Sequence, residues 1–153
     1  MPYIEDESEE DGCVFCRLLD IEDGPKNLIL KRHERVFVML NRYPYTNGHL
    51  MIVPFEHTPS IEGLDEDTLS ELMLVTRHAV DRLREIYKAE AFNIGLNIGT
   101  AAGAGIADHV HIHVVPRWGG DTNFMSTTAK TRVLPEALEV TYERLRAGWN
   151  SDQ

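Results

Sequence analysis

Residues 109–118 read HVHIHVVPRW, and the first five alternate an imidazole with an aliphatic side chain. Alternation at period two does not fit a helix face. It dictates an extended strand with two unlike sides. Val110, Ile112 and Val114 face one way and need a core. His109, His111 and His113 face the other way, roughly 6–7 Å apart at two strand rises. A folded chain has little structural use for a row of imidazoles, so something sits against them: a metal ion, a reacting group, or plain polar filler.

The flanking sequence supplies partners for such a strand. CVFCRLLD (13–20) suits a short helix. Residues 27–32 and 35–40 read as two β-rich runs with a turn near His33 and Glu34. NRYPYTNGH is a loop broken by Pro44 and by Asn47-Gly48. HLMIVPF is almost wholly apolar, which predicts a central strand. Residues 65–89 form the clearest helix, with Leu69, Leu72, Met73, Thr76, Val80, Leu83 and Tyr87 on one stripe and Asp65 as its cap. AFNIGLNIG is a further strand, and a last helix runs from about Pro135 to Arg146. Strands, helix, strands, helix give an α+β domain with helices packed on an antiparallel sheet. His33 and His78 read as surface residues.

A chain of 153 residues suits one domain with a real core. Six of its first twelve residues are acids with no Lys or Arg among them, which predicts a disordered tail over 1–12. The domain then spans 13–147, and 148–153 reads as a flexible end. The formal charge of −10 argues against a nucleic-acid polymer as partner, since that needs a basic stripe. No run is long enough to cross a bilayer and no signal-peptide pattern is present, so a cytoplasmic location is expected. The two cysteines, Cys13 and Cys16, can be redox-active, half a metal site, or inert.

GTAAGAG (99–105) leads straight into the histidine run. It lacks the GKS or GKT of a P-loop. Gly103 and Gly105 allow backbone amides to approach an anion closely. Imidazoles beside an anion cradle suggest chemistry on a phosphate, with the central His111 as nucleophile and a neighbouring donor stabilising the charge that builds up. The rival is a three-histidine metal site, for which side chains along one straight strand diverge poorly.

HVHIHVV resembles the motif of the histidine triad (HIT) family. The likeness extends to NRYPYTNGHLMIVP (41–54), FNIGLNIG (92–99) and PRWGGDTNFM (116–125), and covers nearly all of 13–147. It is similar to the fragile histidine triad and diadenosine tetraphosphate hydrolase and phosphorylase branches. The resemblance implies a HIT-like fold, a sheet of about five strands with one long helix and a C-terminal helix. It implies attack on the α-phosphate of a dinucleoside polyphosphate or related nucleotide conjugate, through a nucleotidyl-histidine intermediate. His111 then resembles the nucleophile, His113 the imidazole on a phosphate oxygen, and His109 the outer histidine. His49 resembles a fourth histidine that holds the nucleophile's other ring nitrogen or its surroundings. Asn41 matches a ribose ligand and Asn97 a residue near the phosphates. Phe15, Leu28, Phe37 and Leu40 are base-pocket candidates.

Many members carry Gln where this chain has Gly105, so the amides of Gly105 and Ile106, or Thr100, would take over its donor role. The resemblance also implies a structural zinc on Cys13, Cys16, His57 and His109, a Mg²⁺ carried by the substrate, and a homodimer formed through the long helix and the strand beside it. Hydrolysis is the expected second step. Phosphorolysis is its rival, favoured by room at Gly105 with Arg117 and Trp118 nearby. A nucleotide-binding signalling protein with little turnover is the other class.

Overall fold

A computed structural model of the chain describes residues 12–121 and 136–150. Five strands, β1 (Ile29–Arg32), β2 (Val36–Leu40), β3 (Leu50–Pro54), β4 (Ala91–Leu96) and β5 (Ile112–Arg117), form one antiparallel sheet in the order β1-β2-β3-β5-β4. Three helices accompany it: α1 (Val14–Leu18), α2 (Glu66–Tyr87) and α3 (Leu138–Gly148). The α+β architecture is the one expected.

Side-chain alternation sorts the core into two clusters, one on each face of the sheet. Val38, Leu50, Ile52, Ile112 and Val114 point towards α2 and α3, where they meet Leu72, Val75, Ala79, Leu83 and Leu145. Ile29, Phe37, Met39, Met51 and Val53 point the other way, and Phe15 of α1 and Ile106 close over them. β3 has all five residues buried and lies in the middle of the order, which is why its sequence is apolar on both faces.

α2 begins where Asp65 accepts the Thr68 amide at 2.8 Å, as its position before the apolar stripe predicts. Leu72, Thr76 and Leu83 of that stripe are buried, but Leu69 and Met73 are 38% and 62% exposed. The buried stripe instead drifts through Val75, Ala79 and Arg82.

Further expectations change. The β5 ladder opens only at Ile112, so His109 and His111 precede the strand proper. α3 starts at Leu138 rather than near Pro135, a residue outside those described, and it runs on to Gly148. The end of the chain from 148 reads as flexible, yet Trp149 is 1% exposed within the core. Its ring packs edge-on against His78, whose Nε2 pairs with the Trp149 carbonyl at 2.6 Å, so His78 is half-buried structure and not a surface residue. Buried Arg82 donates to the Gly148 carbonyl at 3.1 Å, placing a cation on the open C-terminus of α3. His33 is likewise half-buried, and burial lowers its pKa. The expected tail lies outside the described residues except for Gly12.

Candidate active site

β3 and β5 put a line of imidazoles on the face opposite α2. In their ladder Leu50 pairs with Val114 and Met51 with His113, so His49 sits diagonally beside His113 on the same face. His113 Nδ1 lies 3.0 Å from His49 Nε2. His49 Nδ1 accepts the Tyr45 amide at 3.2 Å, so in neutral His49 the proton is on Nε2 and is donated to His113. Neutral His113 must then carry its own proton on Nε2. Burial lowers both pKa values, that of His49 to about 3, so both rings are neutral at pH 7. His113 thus keeps one N–H for a ligand outside the pair.

His111 has the complementary arrangement. Its Nδ1 is 2.9 Å from the His109 carbonyl, which can only accept, so the proton is on Nδ1 and Nε2 keeps its lone pair. Burial pulls its pKa down to about 4, so the imidazole is neutral at neutral pH, with Nε2 unprotonated. The His111 and His113 rings meet edge-on at 4.8 Å between centroids. A nucleophilic nitrogen and a hydrogen-bond donor therefore stand side by side. The ring nitrogen of His111 is held by a backbone carbonyl, and His49 acts on its neighbour His113.

His109 leaves the row. Pro54 ends β3 with no N–H to extend a ladder, and its carbonyl accepts the Nε2–H of His109 at 2.7 Å. The lone pair of His109 Nδ1 is thereby turned to Cys13 Sγ at 3.3 Å, Cys16 Sγ at 3.8 Å and His57 Nδ1 at 3.2 Å, with Cys16 Sγ and His57 Nδ1 3.7 Å apart. These four donor atoms all lie within 4.8 Å of one another. Tetrahedral bonds of about 2.0 Å to nitrogen and 2.3 Å to sulfur require donor separations of just this size, so the residues fit a zinc ion. Burial pushes the Cys13 thiol up to about 11. The three triad histidines do not converge on one point, which removes the three-histidine metal site.

The remaining predicted residues divide. Asn41 is buried, with Nδ2 3.5 Å from His49 Nε2, and Phe15 packs edge-on against both His109 and His111. Phe37 lies in the same cluster as Phe15. Leu28 and Leu40 belong to the helix-side cluster and face away from the histidines. Leu96 pairs with Ile112, so alternation puts exposed Asn97 on the histidine face beside His111. Gly95 pairs with His113 and leaves the site open at this edge, since a Cβ there meets nothing within 4 Å.

In the glycine-rich loop, the amides of Ala102, Gly103 and Ala104 bond to carbonyls of Gly99 and Thr100. Gly103, at φ +94°, serves that turn rather than a ligand. The amides of Gly105 and Ile106, like those of Thr100 and Ala101, donate to no loop carbonyl among the described residues. Arg117 and Trp118 both have partners within the protein. Arg117 grips Asp121 through two bonds of 2.8 and 2.9 Å and reaches Asn93 at 2.9 Å, while Trp118 Nε1 donates to the Tyr87 carbonyl at 3.0 Å. Tyr45 and Thr46, which hold His49 in place, escaped sequence reasoning because a backbone donor leaves no signature in residue type.

A five-stranded antiparallel sheet with three alternating histidines running into β5 and a fourth just before β3 defines a histidine-triad domain. The sequence profile of the HIT domain matches residues 23–120, and the chain belongs to the HIT family. It is 40% identical over 131 residues to an AP-4-A phosphorylase of Mycobacterium tuberculosis, covering 86% of this chain and 66% of that protein. The chain therefore spans just under two thirds of that relative's length. Its structure is similar to that of a Zn-bound histidine triad family protein from Mycobacterium smegmatis, with a TM-score of 0.72, 28% identity, and 90% and 93% of the two chains covered. A hypothetical histidine triad nucleotide-binding protein from Sulfolobus tokodaii gives a TM-score of 0.71 at 28% identity, over 90% and 91% of the chains.

Proposed function

We propose that the chain is a nucleotidyl-transferring enzyme that opens dinucleoside polyphosphates, such as diadenosine tetraphosphate, at the α-phosphorus. The observation that carries this is the pairing of an unprotonated His111 Nε2 with an N–H of His113 on one open face. His111 Nε2 gives its lone pair to the α-phosphorus, and an N–P bond forms as the P–O bond to the polyphosphate breaks. The leaving group keeps that electron pair. His113 Nε2–H donates to a non-bridging oxygen, where negative charge grows. Asn41 holds the ribose, Phe15 and Phe37 bound the base pocket, and the amides of Gly105 and Ile106, with Asn97, hold phosphate oxygens. The acceptor then attacks phosphorus from the side the leaving group vacated, and His111 is released neutral. A Mg²⁺ carried by the substrate balances the polyphosphate charge.

Zinc on Cys13, Cys16, His57 and His109 supplies structure rather than chemistry, since four protein donors leave no open position. The donor distances and the Zn-bound relative support this reading. The phosphorylase relative supports phosphate as the acceptor, while the tethered Arg117 removes one feature that favoured it over water. Reaction with diadenosine tetraphosphate tests both steps. Water gives AMP and ATP, whereas phosphate gives ADP and ATP. His111→Ala is expected to lower turnover by at least about a thousandfold while nucleotide still binds. Mass spectrometry of a brief reaction with a slow substrate should find the nucleotidyl adduct on His111. Near-normal activity in the Ala variant removes the mechanism.

A further inference from the structure

Among the described residues Tyr45 is the most exposed large hydrophobic side chain, at 76%. It sits at the end of a file of rings. Phe15 meets His111 at 4.9 Å, His111 meets His113 at 4.8 Å, His113 meets His49 at 5.1 Å, and His49 meets Tyr45 at 5.0 Å. The file is buried at Phe15 and open to water at Tyr45.

The exposed ring stands on a stiff loop. Its own amide is bound to His49 Nδ1 at 3.2 Å. Thr46 Oγ1 donates to the Pro116 carbonyl at 2.8 Å, and Asn47 Oδ1 accepts the Glu136 amide at 2.9 Å. Gly48, at φ +89°, packs so close to Leu83 that an added Cβ would lie 2.9 Å from its Cδ2. A ring presented on such a loop loses little freedom when a ligand stacks on it.

We propose that the Tyr45 ring is the stacking platform for the second nucleobase of a two-base substrate, the one that leaves with the polyphosphate. This rests on the function proposed above. The first base lies at the Phe15 end, the α-phosphorus lies over His111 and His113, and the polyphosphate bridge carries the second nucleoside along the file to its exposed end. A flat ring accepts any base by stacking, so the subsite selects for a second base without reading which one it is.

The test is equilibrium titration with two ligands that have the same number of phosphates. One is a methylene-bridged, non-hydrolysable diadenosine tetraphosphate. The other is adenosine tetraphosphate, which has one base. In the wild type the two-base ligand should bind more tightly. Tyr45→Ala should cut the two-base to one-base affinity ratio by about five- to 150-fold, the range for one base stacked on an aromatic side chain. Tyr45→Trp should restore the ratio. An unchanged ratio in Tyr45→Ala, including equal weakening of both ligands, overturns the proposal, as does a wild type with no preference for the second base. The catalytic reading is checked separately by whether the wild type turns over diadenosine tetraphosphate itself. Absence of that turnover with the ratio intact removes the mechanism and leaves the subsite.

Discussion

His49 joins stability to chemistry at the scale of one residue. It is 1% exposed, and burial, with the His113 and His111 rings close by, lowers its pKa to about 3. In the unfolded chain it takes a proton below about pH 6.5. Between those values the unfolded state binds the extra proton. Stability is therefore full above about pH 6.5 and declines as the pH falls towards 3. Thermal melts between about pH 4 and pH 8 should show a Tm that is flat above neutrality and falls on the acid side. His49→Gln should flatten that fall, and an equally steep fall in the variant would assign the effect to other groups. The same substitution removes the acceptor for the Tyr45 amide and the donor to His113, so it should also lower kcat more than it raises KM.

At the scale of elements, two short helices do more than their length suggests. α1 has five residues and is too short to be stable alone. It carries Phe15 between two cysteines, and the four-donor cluster ties it to the sheet beside His111. Protein purified without added zinc should contain about one zinc per chain by elemental analysis. Cys13→Ser should lower both metal content and Tm, because metal binding adds to folding free energy. A chain that is metal-free, yet fully folded and as stable as the wild type, would exclude the site. α3 is anchored by Trp149 just past its end, where Gly148 and Trp149 carbonyls meet Arg82 and His78 of α2. Trp149→Ala should cost about 3–5 kcal/mol, read as a lower midpoint in urea denaturation. A loss below about 1 kcal/mol would mean that the end of the chain is not part of the core.

At the scale of the whole molecule, β4 is a sheet edge with every residue exposed or half-exposed, and Ile94 is 47% exposed on it. α2 exposes Leu69, Met73 and Leu74 as well. An uncovered edge strand with apolar side chains invites pairing with another chain. Two-fold pairing would bury the same patch on both copies and explain why part of the α2 stripe misses the core of its own chain. Light scattering at micromolar concentration should give about twice the 17.4 kDa chain mass. A mass of one chain would exclude the homodimer. No helix among the described residues is long and apolar enough to cross a membrane.

The sequence alone determined the strand periods, the cap of α2 at Asp65 and the two-faced histidine run, because each is set by neighbours along the chain. It also placed Cys13, Cys16, His57 and His109 in one candidate ligand set, through family likeness rather than through spacing. Tertiary structure decided what crosses between distant segments. The Pro54 carbonyl turns His109 out of the triad and towards the thiols. The Tyr45 amide fixes the His49 tautomer and, through it, that of His113. Leu28 and Leu40 fall on the helix side, and Arg117 pairs with Asp121. Trp149 turns an expected loose end into core. Proton positions and buried faces depend on which atom meets which across the sheet, and residue type along the chain does not encode that meeting.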